Sequence, residues 1–542
     1  MGFAVVIIAY ALLVWDRRWI SDDGLIFVRC VREILEGNGP VYSPFERAEP
    51  CTSTLWMWLL AGCCWITNTD VARTAVALGG VLAVAGFAIA VDGSRRLHRR
   101  NGHAGELLPA GALVVIAIFP FWDFATSGLE TGLAFFWLAS IWWLLVALRR
   151  DSGRRQLLVF AVVVGLGPLV RPDFTLVTIV LLVAGWRIAK PSRWLALRLI
   201  AAAFALPVAY EVFRAGYYGV LVPLPALAKS ASDVDWSRGL DYLVQFAKPQ
   251  FLYIPIVMLA AMAFVERRSI IAAAAAVVAV PVIAGVMLAV FVVRVGGDFM
   301  YARMLLPSTL LVLAPVLLVP RTRITTIAVL AVAAWAMFTG FKAYTTKRRV
   351  PGDERADYVR ITQQRNPTSA EDHVAVVVGE ADDMAAALRD RRRLLFSDGS
   401  IPVIALNHAI DAPIAIATGR LGFAGAIAPL DGVAVDLFGL SNPIGARITR
   451  TWPGRTGHEK RLPLPWVLAD FADPSATTDV PTDVVRAARH AMTCGALAEL
   501  LASVREPMTA SRFWDNLTGS WSRTRLVIPA DPLEAEREFC EP

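Results

Sequence analysis

Asp22 and Asp23 stand side by side directly after the first apolar run of the chain, in the segment Ser21-Asp22-Asp23-Gly24. A carboxylate can take the proton of a hydroxyl group, and a pair of carboxylates can hold a divalent cation on a phosphate. The alternative is structural, because acidic residues also cap helix N-termini. On the two residues alone the helix cap is favoured, so a catalytic role needs support from the rest of the chain.

Other charged residues stand where apolar runs begin or end, with almost no loop to solvate them. They are Glu130, Arg171, Asp173, Arg294, Asp298 and Arg303. Charges at a membrane boundary are functional candidates, and arginines bind phosphate oxygens well. We therefore predict that the three arginines contact a donor phosphate or organise the site, with the three acids beside them. The alternative for each residue is a snorkelling or paired helix-end charge.

The composition identifies an integral membrane protein. Of 542 residues, 56% are hydrophobic and 18% are charged, and the mean hydropathy is +0.53, which a soluble domain rarely reaches. The net charge of +7 would suit a nucleic-acid partner, but the basic residues fall in short loops between apolar runs, as in the positive-inside pattern. We therefore expect the lipid bilayer as a partner and no nucleic acid. No Walker A loop or Rossmann GxGxxG supports nucleotide-dependent chemistry.

Eleven apolar runs predict a polytopic helical membrane protein with its N-terminus in the cytoplasm and its C-terminus outside. Basic loops such as 95–100 and 149–155 alternate with less basic loops such as 121–128, and Lys/Arg-rich loops stay in the cytoplasm. A twelfth run, 54–66, would break this alternation, so we expect it to be half inserted. The predicted spans are 5–15, 76–91, 107–119, 129–148, 157–170, 174–186, 199–213, 251–265, 270–291, 304–319 and 324–340.

A helix is predicted within the first polar loop, directly after the two aspartates. Its apolar residues, Leu25, Val28, Val31 and Leu35, recur at helical spacing, and residues 37–40 (Gly-Asn-Gly-Pro) end it. The helix is amphipathic, so we expect it to lie along the membrane surface. The charged residues on its other faces are Arg29, Arg32, Glu33 and Glu36.

Beyond residue 341 the polarity becomes ordinary, which marks a second domain of α+β class. Short apolar runs at 374–378, 401–406, 414–417 and 432–437 predict strands, and 481–504 predicts a helix. The tryptophans of this domain could stack on sugar rings, although most tryptophans in a small domain pack in its core. They are Trp452, Trp466, Trp514 and Trp521.

The six cysteines allow two disulfides. Cys30 and Cys51 share the first polar loop, and Cys494 and Cys540 share the C-terminal domain. Both pairs could be oxidised if both regions face an oxidising compartment. No cysteine spacing supports a zinc site.

Taken in order, these segments resemble the GT-C glycosyltransferases. Residues 21–24, running into 37–41 (Gly-Asn-Gly-Pro-Val) and 52–56 (Thr-Ser-Thr-Leu-Trp), resemble the first periplasmic loop of that superfamily. The short motifs at 127–131, 171–173 and 296–303 fit the same group. With 436–440 (Asp-Leu-Phe-Gly-Leu) and 453–459 added, the chain is similar to the mycobacterial AftB family of terminal β-(1→2)-arabinofuranosyltransferases.

This resemblance implies a fold, a reaction and a location. The fold would be a GT-C transmembrane catalytic domain over residues 1–341, with the first periplasmic loop at 16–54, and a periplasmic cap domain over 342–542. The donor would be decaprenyl-phosphoryl-arabinofuranose. The acceptors would be the ends of arabinan chains in arabinogalactan and lipoarabinomannan, during cell-wall biosynthesis. The active site and the cap would face the periplasm from the inner membrane.

The resemblance also places the catalytic acids on Asp22 and Asp23. We predict acceptor contacts for Trp452, Trp466 and His458, and leave open whether a divalent cation binds the two aspartates. The family's donor phosphate and its product linkage are both β, so configuration is retained. Retention needs either an aspartate as transient nucleophile or attack from the face that the phosphate leaves.

Three alternatives stay open. A GT-C enzyme could use another polyprenyl-phosphate sugar, such as mannose. A transporter or lipid scramblase could use the same charges as a substrate path, although the chain shows no internal repeat of the kind such proteins carry. A related sequence pattern occurs in ZomB-like proteins, which keeps a non-enzymatic membrane protein in view.

Overall fold

The structure is a computed structural model that describes residues 2–230, 233–265, 275–345, 350–374, 378–397, 402–451, 454 and 457–541. Up to residue 345 the described chain is almost entirely helical. Its helices are α1 (Gly2–Asp16), α2 (Asp22–Leu35), α3 (Thr54–Thr67), α4 (Val71–Arg100), α5 (Gly111–Ala117), α6 (Pro120–Asp123), α7 (Thr131–Ala147), α8 (Arg154–Gly165), α9 (Gly167–Val170), α10 (Thr175–Ala189), α11 (Arg193–Tyr218), α12 (Leu224–Ala228), α13 (Trp236–Ala247), α14 (Tyr253–Val265), α15 (Ala275–Arg294), α16 (Leu306–Leu313) and α17 (Arg323–Thr345).

Several of these helices can cross a membrane, which confirms the prediction of a membrane protein. Among the described residues, five are long and apolar enough, and a sixth span results if the bent pair Pro120–Thr126 and Thr131–Ala147 counts as one. The five are Val71–Arg100, Pro172–Ala189, Arg193–Tyr218, Val277–Arg294 and Arg323–Lys342. Each of the eleven predicted runs contains a helix, but the count of eleven spans stays a prediction. Residues 270–274 of one run lie outside the described ranges.

Small residues let α4 and α7 approach closely. A side chain at Gly132 would clash with the backbone of Gly79, and one at Gly86 would come within 2.7 Å of the backbone nitrogen of Phe136. Such contacts are typical of helix pairs in membranes, where close backbone approach replaces the hydrophobic driving force. The packing holds the loop that precedes α7, which supports the start of α2.

The described residues from 350 to 541, called the C-terminal domain below, contain a four-stranded sheet of β3 (Leu394–Ser397), β4 (Ile404–Ala405), β5 (Ile414–Thr418) and β6 (Val433–Asp436). The strand order is β4-β3-β5-β6. Strands β3, β5 and β6 are parallel, and β4 is antiparallel to β3. A two-stranded ribbon, β1 (Leu107–Leu108) with β2 (Val319–Pro320), joins two loops of the membrane part. The domain's elements are α18 (Glu354–Thr362), α19 (Ala370–Val374), α20 (Val378–Arg389), β3 (Leu394–Ser397), β4 (Ile404–Ala405), β5 (Ile414–Thr418), α21 (Leu421–Ile427), β6 (Val433–Asp436), α22 (Leu464–Phe471), α23 (Thr482–Ala491), α24 (Gly495–Arg505), α25 (Ala510–Arg525) and α26 (Pro532–Cys540).

Two of the predicted strands are confirmed, at 414–417 and 432–437. The predicted strand at 374–378 is wrong, because Val374 ends α19 and Val378 begins α20, whose Ala- and Met-rich continuation favours a helix; residues 375–377 lie outside the described ranges. The predicted strand at 401–406 is reduced to β4, and residue 401 is also outside those ranges.

The single helix predicted over 481–504 is wrong as well. It is two helices, α23 and α24, which are separated by a turn before Gly495, whose positive φ of 48° suits glycine.

Cys494, in this turn, forms a disulfide with Cys540, as predicted. Cys30 and Cys51 are buried free thiols, so the second predicted disulfide is not formed.

Candidate active site

Ser21, and not either aspartate, caps the helix α2. Its side-chain oxygen accepts the N–H of Gly24 at 3.0 Å, and its own hydroxyl and backbone N–H both donate to the carbonyl of Ser127 at 2.9 Å. The loop before α7 therefore fixes the start of α2. The helix itself, and its end before Gly37, are as predicted. Because Ser21 serves as the cap, the carboxylates of Asp22 and Asp23 are available to the adjacent pocket.

Asp22 and Asp23 line a cavity of about 180 Å³ between the membrane part and the C-terminal domain. Lys229 and Phe299 come from loops of the membrane part, whereas the remaining walls come from residues beyond 350. These are Glu354, Tyr358, Ile361, Gly419, Arg420, Leu421, Phe423, Asp436, Phe438, Leu440, Gly457 and His458. The pocket thus combines carboxylates, cations and aromatic rings, a set that suits a sugar phosphate.

The C-terminal domain faces the pocket with the carboxyl ends of two parallel strands, where α/β sheets usually bind ligands. Arg420 follows β5 and Asp436 ends β6. The Asp436 carboxylate accepts the N–H groups of Phe438 at 2.9 Å and Ser441 at 3.2 Å, and also that of Leu440. Burial nevertheless raises the pKa of Asp436 to about 6, with a smaller contribution from the charge of Asp23.

Helix α21 of the C-terminal domain packs on the first turn of α2. The N–H of Phe423 donates to Oδ1 of Asp22 at 2.8 Å. Gly422 lies against the Asp22 carbonyl so closely that any side chain there would clash with it. Burial, followed by the negative charge of Asp23, raises the pKa of Asp22 to about 7, although the Phe423 N–H opposes the shift. Asp22 can therefore exchange a proton near neutral pH.

Arg29 ties the other end of α21 to α2. Its guanidinium donates to the carbonyls of Ala428 and Pro429 at 2.9 Å and forms an ion pair with Glu33 at 2.9 Å. Arg29 and Glu33 are both buried, so α2 is covered by the C-terminal domain on this side. These contacts position the first turn of α2, and with it Asp22.

Glu354, at the start of α18, is a pocket residue that the sequence analysis missed. Its Oε2 atom is buried and has no hydrogen-bond partner within the described ranges. Burial, and then the charges of Asp23 and Asp22, raise the pKa of Glu354 well above its usual value. The pocket therefore favours the uncharged form of Glu354. Its only sequence signal was its place just after the last predicted span.

Five of the six predicted boundary charges form ion pairs with one another. Arg171 pairs with Asp173 at 2.9 Å and lies 3.8 Å from Glu130. Arg303 pairs with Asp298 at 2.7 Å, and its charge acts on both Glu130 and Asp23. None of the five lines the pocket, so their effect on the site is indirect, as between Arg303 and Asp23.

The remaining four predicted site residues each have a different outcome. Arg294 is outside the pocket lining of the described chain, and its carbonyl accepts the N–H of Asp235 at 2.9 Å. His458 lines the pocket, between the rings of Phe438 and Phe299 at centroid distances of 4.6 and 4.9 Å. The acceptor contact predicted for Trp466 is wrong, because its ring is buried in the domain core. Trp452 lies outside the described residues.

A ready-made metal centre is not evident at the aspartates. Within the described ranges, the one group of three His, Cys, Asp or Glu side chains with ligand atoms within 4.8 Å of one another is His490, Cys494 and Cys540. The two cysteines of that group are joined in a disulfide, so they are not metal ligands. Any cation at Asp22 and Asp23 would need further ligands from the substrate or water.

The C-terminal domain and the whole chain both match known proteins. The family model described as AftB family C-terminal domain matches residues 397–537. The terminal β-(1→2)-arabinofuranosyltransferase of Mycobacterium tuberculosis is 34% identical to the chain, covering 96% of it and 93% of that protein. The Corynebacterium glutamicum protein of the same name is 32% identical, covering 97% of the chain and 85% of that protein.

Among solved structures, the chain is similar to ArnT from Cupriavidus metallidurans bound to undecaprenyl phosphate. The match covers 98% of this chain and 90% of that one, at 14% identity and a TM-score of 0.33, which is too low to support a conclusion. The sequence relatives, by contrast, share at least 30% identity over nearly the full length of the chain. The chain therefore belongs to the family of terminal β-(1→2)-arabinofuranosyltransferases, which are glycosyltransferases.

Proposed function

We propose that the chain transfers arabinofuranose from decaprenyl-phosphoryl-arabinofuranose to the ends of arabinan chains in arabinogalactan and lipoarabinomannan. The observation that carries this proposal is the pocket itself, in which Asp22 and Asp23 face the carboxyl ends of β5 and β6. The family to which the chain belongs supports the sugar and the linkage. To this family assignment the proposal adds the identity of the donor lipid and of the acceptor polymer.

The proposed reaction exchanges one bond at the anomeric carbon for another. The bond from the sugar C1 to the phosphate oxygen breaks, a bond from C1 to the acceptor O2 forms, and decaprenyl phosphate leaves. Asp22 takes the proton of the acceptor hydroxyl, since its pKa of about 7 suits a proton acceptor at neutral pH. Asp23, beside it, stabilises the positive charge that develops on the sugar.

Lys229 and Arg420 are the proposed contacts of the donor phosphate. Both line the pocket, whereas Arg171 and Arg303 do not line it and are paired with carboxylates. Lys229 follows α12, and its ammonium lies 5.8 Å from the centre of the Phe299 ring. In this proposal Lys229 and Arg420 contact the phosphate, in place of the three arginines predicted from the sequence. Those three are Arg171, Arg294 and Arg303. Arg171 and Arg303 keep a role in organising the site through charge.

The proposed arrangement in the membrane is the GT-C fold with eleven spans. Residues 1–341 would form the catalytic domain and 342–542 a cap on the periplasmic side of the inner membrane. The alternation of basic and less basic loops supports this orientation. A polyprenyl donor would reach the pocket from the bilayer, and the polymer from the periplasm.

Two further parts of the mechanism stay predictions. If a divalent cation binds Asp22 and Asp23, its removal by EDTA would lower the rate. Added Mg²⁺ or Ca²⁺ would then restore the rate. Retention by way of an aspartate nucleophile would leave an arabinosyl ester on Asp22 or Asp23, which mass spectrometry of the trapped protein can detect. Attack from the same face as the leaving phosphate would leave no such ester.

The proposed function is tested by donor competition with the purified protein. Synthetic polyprenyl-phosphoryl-arabinofuranose and polyprenyl-phosphoryl-mannose are offered together with a short arabinan acceptor, and the products are identified by mass spectrometry. Transfer of arabinose alone supports the proposal. Transfer of mannose alone would show another GT-C specificity, and transfer of neither sugar from verified donors would favour a non-enzymatic protein.

A further inference from the structure

Two tryptophans on α25 are exposed on one face of that helix. Trp514 is 62% exposed and Trp521 is 63% exposed, and residues seven apart lie on the same side of a helix. The opposite face carries the buried residues Asn516, Ser520 and Arg523. Large aromatic side chains that share an exposed face indicate a surface that contacts a partner.

The position of α25 relates this surface to the membrane. The ring of Phe513 packs against Gly216, and the side chain of Asn516 donates to the Gly216 carbonyl at 3.1 Å. Further along, the N–H of Leu221 donates to the Thr524 hydroxyl at 2.9 Å. Helix α25 therefore lies beside the last turn of α11.

Helix α11 is the least covered of the candidate spans. Only 6% of its apolar window is buried within the described protein, so its surface is available to lipid. Trp194, at its start, is 78% exposed. At 1.5 Å per residue the distance from Trp194 to Gly216 is about 33 Å, close to the roughly 30 Å thickness of the hydrocarbon core. With α11 across the bilayer, Trp194 and α25 would lie at opposite membrane–water boundaries.

We infer that the exposed face of α25, formed by Trp514, Thr518, Trp521 and Arg525, binds the headgroup region of the bilayer around α11. Tryptophan favours this region because its ring is apolar and its N–H is polar. Arg525 lies over the ring of Trp521 at 5.4 Å, where its guanidinium can reach lipid phosphates. The surface adjoins the end of α11, and it anchors the C-terminal domain to the membrane.

The inference is tested with the full chain in lipid nanodiscs. The double variant Trp514→Phe with Trp521→Phe keeps the ring packing, and its emission spectrum is subtracted from that of the unaltered protein. We expect the difference emission to be quenched by lipids brominated near the carbonyl end of their acyl chains. Trp194→Phe provides the positive control, and Trp466→Phe, whose ring is buried in the domain core, provides the negative control.

Two results would overturn the inference. The first is a difference emission that iodide in the water quenches and brominated lipid leaves unchanged, since the rings would then face the solvent. The second is a difference emission that shifts when soluble arabinan fragments are added, since the face would then bind the polysaccharide. Neither result depends on the transfer reaction.

Discussion

The backbone N–H of Phe423 donates a 2.8 Å hydrogen bond to Oδ1 of Asp22, although the two residues are 401 positions apart in the chain. The first polar loop and the C-terminal domain therefore build one site together. Arg29 holds the far end of the same helix α21 by bonds to the carbonyls of Ala428 and Pro429. The C-terminal domain sets the position of Asp22 as well as closing the pocket.

Gly422→Ala is expected to reduce kcat, because the new methyl group would clash with the Asp22 carbonyl and move the first turn of α2. A displacement of about 1 Å at a catalytic group can cost roughly 100-fold in rate. The measurement is kcat with purified variants of equal membrane insertion. Gly62→Ala is the control, since a side chain there meets nothing within 4 Å. A Gly422→Ala protein with an unchanged kcat would show that α21 does not position Asp22.

The rate is expected to rise with pH between about 5 and 8. Asp22 has a raised pKa of about 7, so below that pH it is protonated and cannot accept the hydroxyl proton. The acid limb of kcat/KM against pH would then fall tenfold per pH unit. A rate that is constant from pH 5 to 8, with the protein still folded, would exclude Asp22 as the proton acceptor.

Lys229→Met is expected to raise KM for the lipid donor by about tenfold, the contribution of one charge-assisted hydrogen bond to a phosphate oxygen. Arg420→Met should act in the same direction. Arg294→Met is the matched control, because Arg294 is outside the pocket lining of the described chain. If Arg294→Met raised KM and Lys229→Met did not, the phosphate site would have to be moved to the end of α15.

Glu354→Gln is expected to keep most of the activity, because the pocket favours the uncharged form of Glu354 and glutamine has the same shape. Glu354→Ala should lose about tenfold, since it removes a hydrogen-bonding group from the pocket wall. Glu371→Gln, an exposed acid on α19, controls for the loss of a carboxyl group. Glu354→Gln with as little activity as Asp22→Asn would show instead that the site requires a carboxylate at Glu354.

Local patterns predicted the local features well. The spacing of Leu25, Val28, Val31 and Leu35 predicted α2, and the break at residues 37–40 predicted its end. The apolar runs predicted the helices of the membrane part, and the run at 414–417 predicted β5. Each of these features depends on residues a few positions apart, where helix and strand periodicity are visible in the sequence.

The walls of the pocket could not be predicted in this way. Lys229 and Glu354 approach Asp22 and Asp23 only through tertiary folding, and neither lies in a distinctive local motif. A sequence does not show that Arg171 and Arg303 are already paired with Asp173 and Asp298, so the phosphate contacts predicted for these arginines could not take the pairing into account. The acceptor contact predicted for Trp466 could not take the burial of its ring into account either, since burial is a property of the fold.

The most direct test of the account is arabinose transfer by Asp22→Asn and Asp23→Asn, with synthetic polyprenyl-phosphoryl-arabinofuranose and a short arabinan acceptor. Asp382→Asn with Asp383→Asn is the matched control, because it changes another adjacent aspartate pair that is exposed on α20. The account predicts that both active-site variants insert normally and lose transfer, while the control transfers at the unaltered rate. Transfer at the unaltered rate by both Asp22→Asn and Asp23→Asn would contradict it.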